Sequence, residues 1–292
     1  MIIAAFIEGI KIGVRLPVVS IYTRKALKRF LPGIVTAGIF QISLWCDLII
    51  LSYYPGGMSY LYFADRFVQL PLALFGTATS IVLLPTLSNN QEKANMIFEE
   101  SVLINLALIV PSALGLFLLS RDIIDFFLHR GAFTEEALIK TSELLKLLAI
   151  ALPFQSLGKI FATRINATGN TKNTMIISII TLIINLIVTI SFMPLVGYLA
   201  VGYGTIISSI SYLILFVVRK FELSKKNYME LMKYFFSSFV MACYLVFIAK
   251  FLPLVLKILS SIIIYFTILC IIKAHFAQKL LQKFLYKGKK IL

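Results

Sequence analysis

The chain has 292 residues, of which 60% are apolar and 14% are charged, and its mean hydropathy is +0.94. An ordinary soluble domain carries about 25% charged residues, so this composition excludes a water-soluble protein. The net charge is +15, but Lys and Arg lie in short segments between apolar runs, which indicates membrane orientation and not nucleic-acid binding.

Eight apolar runs are long enough to cross a membrane as helices, which takes about 20 residues each. In chain order they cover 31–54, 59–87, 98–119, 142–164, 174–194, 196–218, 233–252 and 256–273. We therefore predict an all-α integral membrane protein with about eight transmembrane helices. Residues 1–14 are apolar but too short for a span, and they suit an interfacial helix or the end of a preceding span.

The basic residues predict how these spans are oriented. Of the 28 Lys and Arg, 20 lie in 11–29, 88–96, 164–173, 219–233 and 273–292, and five lie in the alternate connections. Because basic loops stay on the cytoplasmic side, we expect both ends of the eight-span unit in the cytoplasm. The basic tail from His275 is expected either to lie on the anionic membrane surface or to be a solvated tail that fixes topology.

The longest outside connection, 120–141, is predicted to be ordered. Its apolar residues before Gly131 favour an interfacial helix. Thr134 can cap the next helix, with Glu135 and Glu136 in the first turn, where acidic side chains are favourable. Nothing in this connection indicates catalysis.

The sequence contains no arrangement typical of catalysis or metal binding. Cys46, Cys243 and Cys270 lie inside apolar runs without CxxC spacing, and His129 and His275 match no metal or triad spacing. No nucleotide-binding loop is present either. We therefore predict a protein that is not an enzyme, with no catalytic residues, no cofactor and no metal site.

Three charged residues lie within the first two spans. Charges at this depth cost from about 2.5 kcal/mol upward, so each is a functional hypothesis. Asp47 and Asp65 lie nine residues before and after Gly56, which places both roughly 13 Å below the outer end. Arg66 points about 100° away from its neighbour Asp65 and needs another anion. Two compatible interpretations stay open: an Asp47–Arg66 ion pair that locks the hairpin, or a water-filled cavity that receives an anionic ligand.

Six segments, two of which contain these charges, form a recognisable pattern: ISLWCD at 42–47, SYLYFADR at 59–66, QLPL at 69–72, LLPTLS at 83–88, RGAFT at 130–134 and ATGNT at 167–171. They resemble the MurJ (MviN) family of bacterial lipid II flippases. The family carries lipid II, the lipid-linked peptidoglycan precursor, across the inner membrane. Its fold is that of the multidrug/oligosaccharidyl-lipid/polysaccharide exporter superfamily, with two six-helix lobes around a central cavity and two further C-terminal helices.

The resemblance implies the division of the chain. Residues 1–30 would be the remnant of a preceding helix and a basic loop, 31–218 the six-helix second lobe, and 219–232 a cytoplasmic loop. The two additional helices, at 233–273, would line a groove for the lipid tail, and 274–292 would be a basic cytoplasmic tail. Because the family's first lobe is absent, we expect a fragment, a truncated product or one half of a split protein, with a separate first-lobe polypeptide as its partner.

The resemblance also implies a head-group site. Arg66 would face the pyrophosphate from the cavity, and Asp65 and Gln41 are the further candidates for binding the head group.

An ion site is implied as well. Asp47 matches a carboxylate proposed to help bind Na⁺, and Asn185 and Thr205 look like its partners. Thr189 stands where that pattern has a carboxylate. Transport would then be coupled to Na⁺ or to the membrane potential, without a bound cofactor.

These implications give an expected function: flipping of lipid II across the bacterial inner membrane by a multi-pass protein. The expected partners are lipid II or a related undecaprenyl-pyrophosphate lipid and the membrane lipids, with no nucleic acid. Two alternatives stay open. The chain carries another polyprenyl-linked saccharide or amphiphile, or it is a non-transporting relic with a structural role.

Overall fold

The computed structural model describes residues 21–89, 93–217 and 225–278, and every regular element within them is helical. The α-helices are α1 (Ile21–Leu51), α2 (Gly57–Pro71), α3 (Ala78–Asn89), α4 (Ala94–Leu118), α5 (Ser120–Leu128), α6 (Glu135–Ala167), α7 (Thr171–Val196), α8 (Ala200–Val217), α9 (Lys225–Phe247) and α10 (Leu254–Ile271). A π-helical turn (Leu72–Thr77) joins α2 to α3, and short 3-10 turns (Gly197–Leu199 and Ala249–Phe251) follow α7 and α9. Three predicted segments lie outside the described residues: the helix remnant at 1–14, the start of the loop at 219–224 and the tail beyond 278.

The predicted all-α membrane class is confirmed. Within the described ranges, seven helical stretches are long and apolar enough to span a membrane. The longest, with 47 residues from Thr171 to Val217, turns back at Gly197, where φ is +59°, and its two halves α7 and α8 pack along each other. The eight predicted runs therefore correspond to seven stretches, because the fifth and sixth runs form one hairpin.

The turn between α1 and α2 sets the depth of the intramembrane carboxylates. Gly56 has a φ of +75°, a conformation that favours glycine. A Cβ on Gly57 would lie 2.6 Å from the carbonyl oxygen of Leu51, so only glycine allows the two helix ends to approach this closely. Asp47 and Asp65 therefore lie the same number of residues from this turn, on the two helices that it joins.

Two clusters of buried apolar side chains hold the helices together. The larger cluster packs α2, α4, α6 and α8 around residues such as Leu61, Phe98 and Leu152. The smaller cluster packs α9 and α10 against α4 and α5, and the hydroxyl of Tyr265 donates to the carbonyl oxygen of Ala107 at 2.5 Å. Because lipid tails are as apolar as leucine, close packing and hydrogen bonds of this kind hold membrane helices together.

The outside connection has the order that the sequence predicts. The helix α5 ends before Gly131 and exposes Phe126 and Phe127. Thr134 caps α6, where its hydroxyl oxygen accepts a hydrogen bond from the backbone N–H of Ala137 at 3.2 Å. The connection therefore presents apolar side chains beside a capped helix start.

Candidate functional site

A polar cavity of about 300 Å³ lies between α1, α2, α6, α7 and α8. Its polar lining comprises Gln41, Ser43, Asp47, Asp65, Gln69, Gln155, Lys159, Ser178, Thr181, Asn185, Thr205, Ser208, Ser209 and Tyr212. Polar and ionisable side chains in membrane helices usually face a bundle interior or a water-filled space. The volume is at the lower end of the range for small-molecule sites, so the cavity can hold water or a small polar group.

The most deeply buried charge in the cavity is Asp47, which is 4% exposed. The side-chain amide of Asn185 donates to its two carboxylate oxygens at 3.1 and 3.4 Å and lies 2.8 Å from the hydroxyl oxygen of Ser43. On the other side, the hydroxyl of Thr189 donates to the side-chain amide oxygen (Oδ1) of Asn185 at 3.2 Å. This chain of bonds joins α1 to α7 and brings Asp47 and Asn185 together, as the resemblance implies.

The orientation of this amide bears on the implied ion site. Asn185 presents its N–H groups to Asp47, whereas a cation there would need the amide oxygen. Thr205 lines the same cavity, but its hydroxyl donates to the carbonyl oxygen of Val201 on its own helix. Within the described residues, no group of three or more His, Cys, Asp or Glu could hold a metal ion. In this structure these groups form a hydrogen-bonded link between helices, and the implied Na⁺ site stays a prediction.

Two of the three predicted head-group residues line the cavity. Asp65 is half-buried and accepts a hydrogen bond from the side-chain amide of Gln69 at 2.8 Å. Gln41 lies on the facing helix α1 and is exposed. Both side chains are therefore available to a polar ligand within this lobe.

Arg66 lies outside this lining. Its side chain is exposed, and the central carbon of its guanidinium group lies 4.5 Å from the centroid of the Tyr62 ring, a cation–π contact. Across the described residues, Arg66 and Asp47 form no ion pair, so the hairpin-locking interpretation does not describe this structure. The expectation that Arg66 faces a head group stays a prediction.

One residue that the sequence marks only as a charge within a span proves to be part of the site. Lys159 lines the cavity, and its ammonium group donates to the hydroxyl oxygen of Thr77 at 3.1 Å. Thr77 is the last residue of the π-helical turn, where its own hydroxyl reaches the carbonyl oxygen of Leu72, five residues earlier, at 3.4 Å. The sequence shows a lysine inside an apolar run, which is the signal that could have identified this residue. It does not show the partner, Thr77, because Thr77 lies 82 residues away in the chain.

A buried polar pair supports the wall beside Lys159. Asn105 and Ser156 exchange two hydrogen bonds, at 2.8 and 3.0 Å, and both side chains are fully buried. A Cβ on Gly76 would lie 2.7 Å from the hydroxyl oxygen of Ser156. Glycine at this position therefore lets the π-helical turn pack directly on α6.

Comparison with known families identifies a match along most of the chain. The family model described as lipid II flippase MurJ matches residues 1–272. The probable lipid II flippase MurJ of Bdellovibrio bacteriovorus is 34% identical over 168 residues, which cover 56% of this chain and 32% of that protein. The lipid II flippase MurJ of Thermosipho africanus is 31% identical over 232 residues, which cover 79% of this chain and 48% of that protein. The chain thus spans about a third to a half of the length of these relatives.

Solved structures show the same similarity. A structure of lipid II flippase MurJ in an inward closed conformation superposes with a TM-score of 0.76 at 29% identity, covering 92% of this chain and 59% of that one. An outward-facing transporter of the multidrug resistance MATE family superposes with a TM-score of 0.56 at 16% identity, which shows the fold alone.

Proposed function

The chain belongs to the lipid II flippase MurJ family, and on that premise we propose that it carries lipid II across the bacterial inner membrane as part of cell-wall synthesis. It acts as a carrier and not as an enzyme, and it lies in the membrane as a multi-pass protein with a cytoplasmic C-terminus. Because the match covers only about a third to three fifths of each of these MurJ proteins, we propose that the chain works together with a first lobe, on the same or on a separate polypeptide.

The observation that carries this proposal is the polar cavity inside a MurJ-like set of helices. Two carboxylates, one lysine and several amides and hydroxyls line it at a depth where lipid-facing segments are apolar. Among these side chains, Gln155 and Lys159 have hydrogen-bonding capacity that their partners among the described residues do not use up. This pattern favours a ligand pathway over a purely structural role.

In the proposed mechanism, the head group is held by polar side chains and the lipid tail stays in an apolar groove. Arg66 and Asp65 are adjacent on α2, with Arg66 exposed and Asp65 directed into the cavity. We propose that Arg66 binds the diphosphate, that Asp65 accepts hydrogen bonds from the sugar and peptide parts, and that Gln41 donates hydrogen bonds to them or accepts hydrogen bonds from them. The helices α9 and α10, which expose large apolar side chains such as Phe239 and Ile263, hold the tail.

Complementation of cells depleted of their own MurJ tests this function. The first lobe of the Thermosipho africanus relative is placed before this chain to give a chimera with both lobes. We expect the chimera to restore growth, Arg66→Ala to abolish the rescue and Arg66→Lys to retain part of it, since lysine keeps the charge but not the bidentate geometry.

The matched control is Arg121→Ala. Arg121 lies in the outside connection, where it pairs with Glu135 at 2.6 Å and is largely exposed, so its loss has little effect on stability. A chimera that folds and reaches the membrane but does not restore growth contradicts the proposed function. Rescue by Arg66→Ala at the level of the unaltered chimera contradicts the role given to Arg66.

A further inference from the structure

Arg66 lies within a membrane span without an anionic partner from the described part of the chain. It belongs to the stretch Gly57–Leu87, which is long and apolar enough to cross a membrane. No ion pair and no hydrogen bond between described residues uses its guanidinium group. The neighbouring carboxylate of Asp65 lines the cavity and accepts a hydrogen bond from the amide of Gln69 at 2.8 Å. Because a charge within a span is costly, any contact that stabilises this one matters for its position.

The contact that the structure shows for Arg66 is with the ring of Tyr62. The central carbon of the guanidinium group lies 4.5 Å from the ring centroid. Tyr62 precedes Arg66 by four residues on α2, so the two side chains lie on one face of the helix. A cation over the face of a tyrosine ring is attracted by the negative charge of the π-system, most strongly where water is excluded. The ring can therefore hold the guanidinium group where no carboxylate does.

The ring of Tyr62 is itself held from the outside connection. It contacts the ring of Phe63 edge to face, with centroids 5.9 Å apart, and Phe63 contacts Phe133 in the same way at 6.0 Å. Phe133 is half-buried and packs against the larger apolar cluster, directly before the cap of α6 at Thr134. Edge-to-face pairs prefer a defined geometry. This series of rings therefore restricts where Tyr62, and with it Arg66, can lie.

A ring face leaves the guanidinium group able to bind a ligand. A carboxylate partner would neutralise its charge and take up N–H groups in a bidentate pair. The ring of Tyr62 does neither, and no hydrogen bond between described residues uses any of the five N–H donors of Arg66. Arg66 therefore keeps both its charge and its forked set of donors for an oxyanion.

We propose that Tyr62 is a positioning residue for Arg66: the face of its ring holds the guanidinium group in the span and presents it to the cargo. This inference rests on the proposed function for the ligand, which is the diphosphate that Arg66 binds there. The role requires the aromatic face and not the hydroxyl group. The hydroxyl of Tyr62 accordingly forms no hydrogen bond with the described residues.

Binding of undecaprenyl diphosphate to the full chain in lipid nanodiscs tests this role. Phenylalanine and its fluoro, difluoro and trifluoro analogues are placed in turn at position 62. Fluorine withdraws electrons from the ring and weakens its attraction for a cation, while the size of the ring hardly changes. We expect phenylalanine to retain binding and trifluorophenylalanine to weaken it about fivefold, with intermediate effects between them. A role in packing alone would not follow the number of fluorines.

Tyr53→Leu is the matched control for Tyr62→Leu. Tyr53 is on the same hairpin and is 85% exposed, and no cation–π contact of the described residues includes it. Tyr62→Leu should weaken binding about as much as trifluorophenylalanine does, and Tyr53→Leu should leave it unchanged. A double-mutant cycle with Arg66→Gln gives a second control. Fluorine at position 62 should lower the melting temperature of the chain that contains Arg66 and not that of Arg66→Gln.

The outcomes separate this inference from the proposed function. Binding that requires Arg66 but does not respond to fluorine overturns the role of Tyr62 and leaves the proposed function intact. Equal losses in Tyr53→Leu and Tyr62→Leu do the same. A chimera that does not restore growth, although binding weakens with each fluorine, contradicts the flippase proposal and leaves the role of Tyr62 intact. If the unaltered chain does not bind, or if Arg66→Gln binds equally well, the roles of Arg66 and Tyr62 are both overturned.

Discussion

Asn185 on α7 donates its side-chain amide to both carboxylate oxygens of Asp47 on α1, at 3.1 and 3.4 Å. The two residues are 138 positions apart in the chain and are almost completely buried. This bond links the first helix of the lobe to the hairpin of α7 and α8. It also satisfies a carboxylate that would otherwise be buried without a donor.

Asn185→Ala should therefore lower the free energy of unfolding by about 2 kcal/mol, because Asp47 loses its donor. The matched control is Thr181→Ala, one turn earlier on α7, whose hydroxyl donates only to the carbonyl oxygen of Ile177 on its own helix. Denaturant or thermal unfolding in detergent measures both variants. If both variants lower the free energy of unfolding by the same small amount, the hydrogen bond between α1 and α7 does not contribute to stability.

Gly76→Ala should destabilise the protein by about 1–3 kcal/mol, because its new methyl group overlaps with Ser156 and forces the π-helical turn away from α6. Gly115→Ala is the control, since a Cβ at that helical position meets no heavy atom within 4 Å and should be neutral or stabilising. Melting temperatures of the two variants test the difference. In a double-mutant cycle, Gly76→Ala should cost less in a Ser156→Ala background than in the unaltered chain, because the hydroxyl that the new methyl group meets is gone. Additive losses would argue against a steric cause.

The ion pair between Lys257 and Asp122, at 2.5 Å, should anchor the start of α10 to α5. We expect Lys257→Ala to increase hydrogen exchange in α10 by an amount equivalent to about 1 kcal/mol, the upper range for a partly exposed pair. Exchanging the two residues, with Lys257→Asp and Asp122→Lys, should restore most of the protection. Lys250→Ala is the control, because Lys250 is exposed and no ion pair of the described residues includes it.

Cysteine labelling tests whether the cavity contains water. In a chain whose native cysteines at 46, 243 and 270 are replaced by serine or alanine, Thr181→Cys should react with a membrane-impermeant maleimide, because its position lines the cavity. Ile183→Cys, two residues further along α7, should remain unlabelled, because Ile183 is 49% exposed on the outer surface of a membrane helix. Labelling of position 183 but not of position 181 would contradict a water-filled interior.

The sequence predicts the fold class and most helices because the length of an apolar run is a direct physical requirement of the membrane. It also predicts the cap at Thr134, since capping depends on a local hydrogen bond to Ala137. The equal depth of Asp47 and Asp65 stays a prediction from counting residues on either side of Gly56, whose positive φ agrees with a glycine turn there. Each of these predictions depends only on positions within one helix, or within two helices joined by a short turn, and not on how helices pack.

The features that the sequence does not predict depend on how helices pack. Arg66 and Asp65 are neighbours, yet Arg66 is exposed against Tyr62 whereas Asp65 lines the cavity. The rotation of α2 about its own axis, which depends on packing, decides which of the two faces the cavity. The partnership of Lys159 with Thr77 joins positions 82 residues apart. The π-helical turn after Pro71 likewise has no local sequence signal beyond the proline itself.

That turn has a geometric consequence for the whole span. A π turn holds about one residue more than an α turn, so every side chain after Thr77 is rotated by about 100° compared with an uninterrupted α-helix. As a result, the polar side chains of α2 do not continue along the same face of α3, where a different face is directed to the lipid. If one residue were deleted between positions 72 and 77, the mismatch would vanish, and the half of this span that follows the turn would present a different set of side chains to its neighbours.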